Sequence, residues 1–391
     1  MKKIVGILSA AAVLATSVFA ADVSAATKIS GSLFGYDADK NVTLLNERDD
    51  SHEYAQPNMT FSASDEKAGA TIKLTTHNYG GDNRGVLLRE QTIWFKPLDA
   101  LKLTVGNFDV ALNKEQIDWT ESVTGLGGNG FLATVDVNGI TLDAGFEAHE
   151  GNWLSKKDGE DDPAIKAFFL KAGYSADFGS IGAYVKFNGA ENKFKAAEDK
   201  ADAATKAAGG DAAKIAKAIA DYEADVLAAM NAPHTTIFQP KDGAISSTQF
   251  GVGYKNTFDP ITLFVNFVGF MDDKFEWIRP ELYVSGNVDA LGFQLFAAPL
   301  IIVDSDVKDG LDAKDISPIF FEALAKVTYK IDEVTTYAYF KDANLLAKDF
   351  AATIKLGAQG NLGAMGWNIW AQIDAAEKTG FSVPVEFTFS F

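Results

Sequence analysis

The chain ends on Phe381-Ser-Val-Pro-Val-Glu-Phe-Thr-Phe-Ser-Phe391. Phe381, Val383, Val385, Phe387, Phe389 and Phe391 fall on one side of this run, and Ser382, Pro384, Glu386, Thr388 and Ser390 fall on the other. Successive side chains of a β-strand point to opposite sides of the pleat, so strict period-two alternation predicts a strand with an apolar face and a polar one. Phe fills 29 of the 391 positions, so a terminal Phe alone carries little; the unbroken alternation carries the reading.

Working back from this strand, the same alternation recurs about 18 times. In the first half the segments are Lys28–Tyr36, Tyr54–Ser64, Ala68–Asn78, Leu87–Lys96, Leu101–Asn107, Phe131–Val137, Ile140–Ala148, Ala164–Ala176 and Ser180–Asn188. The second half gives Ser247–Thr257, Ile261–Met271, Trp277–Val288, Leu291–Ile302, Ile319–Lys330, Val334–Lys341, Phe350–Gln359, Met365–Asp374 and Phe381–Phe391. Most approach the 9–11 residues that a tilted membrane strand needs. In Trp277–Val288 the apolar side is Ile278, Pro280, Leu282, Val284 and Val288, against Arg279, Glu281, Ser285 and Asn287. In Ile140–Ala148 it is Ile140, Leu142, Ala144 and Phe146, against Thr141, Asp143 and Glu147. A buried charge without compensation is costly, so these polar sides need water. Lipid outside and water inside a ring satisfies both faces; a large soluble β-sandwich is the competing solution.

The connections alternate in length. Asp65–Lys67, Pro97–Ala100, Asn138–Gly139, Asp177–Gly179, Phe258–Pro260, Asp289–Ala290, Ile331–Glu333 and Gly360–Ala364 are short. Asp37–Glu53, Tyr79–Val86, Phe108–Gly130, His149–Pro163, Gly189–Ser246 and Val303–Pro318 are long. Membrane barrels have short turns at one end and longer loops at the other. No stretch of 18 consecutive apolar residues occurs, which argues against helical spans.

At the other terminus, Lys2 and Lys3 precede an apolar core, Ile4 to Val18, and the small-x-small site Val18-Phe19-Ala20. This predicts a secretory leader over residues 1–20 and a mature chain over 21–391. The chain has no Cys, which excludes a lipoprotein anchor, disulfides and thiolate metal sites. Net charge is −18, and loss of Lys2 and Lys3 takes it to −20. So acidic a chain has no grip on nucleic acid. The charge favours cations if it lines a pore; on solvated loops it does nothing of the kind.

The leader, the alternation and the aromatic C-terminus together resemble the bacterial outer-membrane β-barrel proteins, and in size the general porin group. That resemblance implies an all-β fold: a transmembrane antiparallel β-barrel of about 16–18 strands, wide enough for a water-filled channel. It implies location in the cell outer membrane, contact with outer-membrane lipid, and passage of small hydrophilic solutes. It implies an assembly signal at Phe391, Phe389 and Phe387 for the barrel-assembly machinery, and a homotrimer as a common form. No cofactor, metal or nucleic acid is expected, and no separate plug domain.

One region departs from the alternation. Residues 190–232 are rich in Ala, Lys, Asp and Glu, and Ile215, Ile219, Tyr222, Val226 and Met230 recur at helical spacing. Gly209-Gly210 divides the run and Asp211 is placed to cap its second half. This predicts a helical insertion in one outer loop, either a lid or a solvated decoration.

In the general porins the third outer loop folds into the lumen. By count that loop is Phe108–Gly130 here, carrying Asp109, Glu115, Asp118 and Glu121, although the Pro-Glu-Phe-Gly-type motif of enterobacterial porins is absent. These acids are the candidate constriction groups, facing basic wall residues: Arg279 and Lys355 first, with Lys73, Arg89, Lys102, Lys186, Lys255 and Lys326 behind them. Acids at a constriction attract cations. Tyr184, Phe296, Tyr337, Tyr339 and Trp370 share the polar face, as a sugar path or as packing for loops. The acidic loops Asp304–Asp312 and Asp158–Asp162 have the wrong spacing for an EF-hand. The four histidines, His52, His77, His149 and His234, fall in or beside long loops with no nucleophile motif, so no enzyme is expected. A passive diffusion channel with a cation preference is therefore the leading reading; a surface-exposed binding or adhesion barrel and a substrate-selective channel, for sugars for example, are the alternatives.

Overall fold

The structure is a computed structural model. It describes residues 21–36, 42–46, 56–78, 84–113, 126, 128–148, 165–188, 191–192, 247–271, 275–305, 317–342, 344–347, 351–375 and 379–390, with residues 200, 203–209, 211–218, 221, 238–239 and 308 of the longer connections. The expected leader and Phe391 lie outside the described residues.

The strands in chain order are β1 (Ala21–Tyr36), β2 (Val42–Asn46), β3 (Gln56–Ser64), β4 (Ala68–Asn78), β5 (Arg84–Leu98), β6 (Leu101–Phe108) and β7 (Gly128–Val137). Then come β8 (Ile140–Ala148), β9 (Ile165–Ala176), β10 (Gly179–Asn188), β11 (Glu191–Asn192), β12 (Phe238–Gln239), β13 (Ser247–Phe258) and β14 (Ile261–Met271). The last are β15 (Phe275–Val288), β16 (Leu291–Ile302), β17 (Ile319–Ile331), β18 (Val334–Asp342), β19 (Ala352–Leu362), β20 (Met365–Ala375) and β21 (Gly380–Ser390).

Nineteen of these strands form one antiparallel sheet; β2 and β3 lie end to end beside β1, so the sheet has 18 strand positions. Each position pairs with the next in sequence, and β1 pairs with β21 on its other side, Ala26↔Ser390 through Tyr36↔Phe381. Every position therefore has a hydrogen-bonded neighbour on both sides. This satisfies the backbone where no water can do so. The C-terminal strand thus pairs with the first one.

The faces divide as the sequence predicts. In β8, Leu142 is 48% exposed while Asp143 next to it is 5% exposed. In β15, Leu282 is exposed while Arg279, Glu281 and Tyr283 are buried. The outward side chains are apolar and the polar ones lie inside the ring, as in a membrane barrel, although on β14–β17 apolar residues such as Phe264, Phe270 and Leu324 share the inner face with them. The two-residue turns Asn138-Gly139 and Asp289-Ala290 open on positive φ, 51° and 52°, as does Asp332 at 53°; this suits tight hairpins whose twist matches the strands. Between neighbouring short turns, Lys67 pairs with Asp99. That hydrogen bond and the opposite charge hold the Asp99 carboxyl below its ordinary range and push the Lys67 ammonium above its own.

Two details differ from the sequence reading. The connection after β1 is not all loop, because Val42–Asn46 turns back and pairs with Ser32–Tyr36 of β1. β1 itself begins at Ala21 rather than Lys28, its early residues pairing with β3. Both are short extensions of a neighbouring strand whose own alternation is too brief to announce them. In the connection between β10 and β13, residues 203–207 and 212–218 are helical. Asp211 caps the second run, its Oδ1 accepting from the amides of Ala213 and Lys214 at 3.0 and 3.4 Å.

Candidate functional site

The inner face is built in rows set by strand register. Phe264, Tyr283, Phe296 and Leu324 are directly opposite one another from β14 to β17 and form an apolar belt. The Phe264 and Tyr283 rings stack at 4.8 Å. One row nearer the long loops, Asn266 sits opposite Glu281. One row further, Arg279 is 0% exposed. Its Nε donates to Glu281 Oε1 at 3.1 Å and its Nη2 to Glu322 Oε2 at 3.0 Å. Phe270 and Trp277, stacked at 5.6 Å, lie above it.

The third long connection enters this region. At the end of β6, Gly106 has a φ of 101°, and a Cβ there would sit 2.0 Å from the Gln91 carbonyl oxygen. Gln91 and Thr92 then bond to Asn107, at its side-chain and main-chain oxygens. The β5–β6 ladder stops at Thr92↔Gly106 while β6 stays paired with β7 as far as Phe108. This local irregularity next to a glycine turns the chain away from its wall strand. Val110 and Leu126 are joined by a 2.6 Å backbone bond, Leu126 donating. Both enter an apolar cluster with Phe169, Tyr184, Val268, Trp277, Leu300 and Phe320. Asn113 is hydrogen-bonded to Asn266 of β14.

The wall of β8–β10 carries ion pairs. Lys171 meets Asp143 at 3.1 Å and Lys186 meets Glu147 at 2.7 Å. Lys73 meets Glu90 at 2.9 Å on β4 and β5, and Lys102 lies over the Trp94 ring at 4.8 Å. Across β17–β20 the inner face is more open. Lys326 lies over Tyr337 at 5.3 Å, and Lys355 lies 4.9 Å from the Tyr339 ring and 6.0 Å from Trp370. Tyr337 donates to Asn368, Trp370 donates to Gln372, and Gln372 donates to Asp374. Towards the short turns, a cavity of about 700 Å³ is lined by Lys330, Thr335, Gln359, Asn368, Glu386 and Thr388. Glu386 and Thr388 belong to the polar side of the closing strand.

Of the expected constriction groups, Asp109 is exposed at the start of the loop. Glu115, Asp118 and Glu121 lie outside the described residues. Arg279 is inside the ring, at the base of a buried network and partnered by wall carboxylates. Lys355 is on the inner face, half-buried between two rings. Phe387 and Phe389 are in β21, opposite Trp367 and Met365 of β20. Of the five aromatic residues expected on the polar face, Tyr184, Phe296 and Tyr339 are buried in the apolar clusters and Tyr337 packs against one of them, while Tyr337, Tyr339 and Trp370 also accompany lysines. Sequence reasoning did not single out Leu112, Asn113, Asn266 or Glu322. Among the described residues no three His, Asp or Glu side chains converge to hold a metal.

No protein-family model matches the sequence, and no curated protein matches it. Solved structures do resemble it. Pseudomonas aeruginosa OccK2 (OpdF) shares 10% identity over 95% of this chain and 98% of its own, with a TM-score of 0.53. The outer membrane protein opdK of the same organism shares 8% identity over 95% and 98%, with a TM-score of 0.52. OccK2 in complex with glucuronate gives 10%, 95% and 96%, and 0.52. The chain has the porin barrel fold. Within that fold, an apolar outer face and a ring of 18 strand positions around polar walls are what a channel needs.

Proposed function

We propose that this protein is an outer-membrane channel through which small hydrophilic solutes diffuse passively. The observation that carries the proposal is the division of every clean strand into an apolar outward face and a polar inward face around a closed circuit of pairing. The third long loop enters the ring through residues 110–113 and narrows the passage, and its acids with inner-face lysines such as Lys355 form the filter, the buried Arg279 acting only through its neighbours. The excess of acidic residues supports a preference for cations. The short turns then face the periplasm and the long loops the outside. Purified protein in a planar bilayer is expected to give discrete conductance steps, and a reversal potential under a salt gradient that marks cation preference. A folded, heat-modifiable barrel that never conducts would sink the channel; anion preference would sink the acidic filter alone.

The same reading makes residues 1–20 a leader, residues 21–391 the mature barrel with its 190–232 insertion, and the terminal Phe391, Phe389 and Phe387 an address for barrel assembly. A mature N-terminus at Ala21 tests the first, and loss of assembled barrel after deletion of Phe391 tests the last. Mass measurement in detergent decides between a single barrel and a trimer. A second reading, a substrate-selective channel, has one observation in its favour. Lys355 between Tyr339 and Trp370 pairs a cation with aromatic faces, which suits an anionic polyol such as the glucuronate bound by OccK2. Block of the ionic current by glucuronate but not by an uncharged sugar would support it.

A further inference from the structure

The Gly182 and Gly253 residues oppose each other across β10 and β13, and Gly173 on β9 continues the row. Three glycines side by side leave a shallow notch on the inner wall. Leu112, from the third long loop, lies against it. A Cβ at Gly182 would sit 2.6 Å from Leu112 Cδ1, and one at Gly253 would sit 2.9 Å from Cδ2. Such distances are closer than van der Waals contact allows, so the notch exists only because these wall residues have no side chain.

Beside the notch the loop is pinned by a reciprocal amide pair. Asn113 Nδ2 donates to Asn266 Oδ1 at 2.9 Å, and Asn266 Nδ2 donates to the Asn113 carbonyl oxygen at 3.2 Å. The same Asn266 Nδ2 also donates to Glu281 Oε2 at 3.0 Å, and Glu281 is held in turn by Arg279. Both asparagines are buried, Asn266 completely. Losing the hydrogen bond from Asn113 at the completely buried Asn266 is therefore costly.

We propose that Leu112 and Asn113 form a latch that fixes the third loop in the lumen, with Asn266 as its catch and Gly182 and Gly253 as its seat. Arg279 is a positioning residue: it acts on the passage through Glu281 and Asn266, and does not face the solute. This inference rests on the channel reading above. The latch holds Leu112 and Asn113 against the wall, and so bears on conductance and its fluctuations.

The chain lacks Cys, which makes the test direct. In the full-length protein, Asn113→Cys with Asn266→Cys, and separately Leu112→Cys with Gly182→Cys, would be bridged with a short bis-methanethiosulfonate and the residual thiols counted by mass spectrometry. Bridging of either pair in folded barrels, at parental conductance and with less current flicker, is the expected result. The paired release variant, Leu112→Ala with Asn113→Ala, should keep the heat-modifiable fold and raise single-channel conductance roughly twofold, with more flicker. Gly253→Val, whose side chain would displace the Asn113–Asn266 pair together with Leu112, should do the same. Unbridged thiols in a folded barrel, or parental conductance and noise in both release variants, would overturn the latch. If the parent itself does not conduct, the bridging result still decides where the loop sits, while the channel reading falls alone.

Discussion

Two sectors of the inner wall start from the same alternating sequence and end in opposite environments. On β14–β17 the inward side chains are dry: Arg279, Glu281 and Glu322 are held between an apolar belt below and the Phe270–Trp277 pair above, with Val110, Asn113 and Leu126 of the third loop packed or bonded in the same region. On β17–β20 the inner face is more open: Lys326, Lys355 and Asn368 are half-buried beside the buried Tyr339, Trp370 and Gln372. Alternation puts a charge on the inside of a barrel. Whether that charge meets water depends on what else occupies the interior at its height. A charge covered by a loop becomes part of a core and must be fully paired; an uncovered one remains available to a passing solute.

The largest test of this contrast is Arg279→Met. It strands Glu281 and Glu322 in the dry sector, and about 3–5 kcal/mol of barrel stability should be lost, read by urea titration in detergent or lipid. A loss below 1 kcal/mol would show that the sector is wet after all. Next is the lipid face shared by both sectors: Leu356, 61% exposed on the outside of β19, should cost about 2–4 kcal/mol when changed to Arg, if it sits near the bilayer midplane. In the more open sector, Lys355→Met removes a cation from between two rings and should cost about 0.5–1 kcal/mol. Its main effect should be on the reversal potential, moved towards cations, while Arg279→Met leaves any surviving channel's selectivity closer to the parent's. The smallest effect belongs to Lys67→Ala at the short-turn end. Its exposed partner Asp99 then regains an ordinary carboxylate, and because the native carboxyl titrates low, whatever the pair contributes is present above the ordinary carboxylate range and fades as pH falls through the lowered value. Acid titration of the folded barrel should show at most a slight change.

Much of the fold was legible locally. The segment Ile140–Ala148 and the strand β8 coincide, and the tight turns at Asn138-Gly139 and Asp289-Ala290 carry the residues that tolerate positive φ. Asp211 was legible as a helix cap for the same reason: the partner amides are two and three residues away. β2 was not legible, since five residues pair usefully only when Ser32–Tyr36 is already laid beside them. The site was legible in its inward face and in its loop, and much less in its contacts. Arg279 could be placed on the polar side of its strand from the run Trp277–Val288 alone. That its partners would be Glu281 and Glu322, with Val110, Leu112 and Leu126 of the third loop packed into the neighbouring apolar cluster, could not.

By itself, the sequence determined the strands, their two faces and the alternating connection lengths, because each depends on chemistry repeated every second residue or on a few neighbouring residues. The tertiary structure decided which inward charges are buried, where the third loop docks and which glycines receive it. Asn113 and Asn266 stand 153 positions apart. Nothing in the local pattern around either one encodes the other; only the curvature of the sheet and the inward departure of the chain at Gly106 bring the two amides into contact.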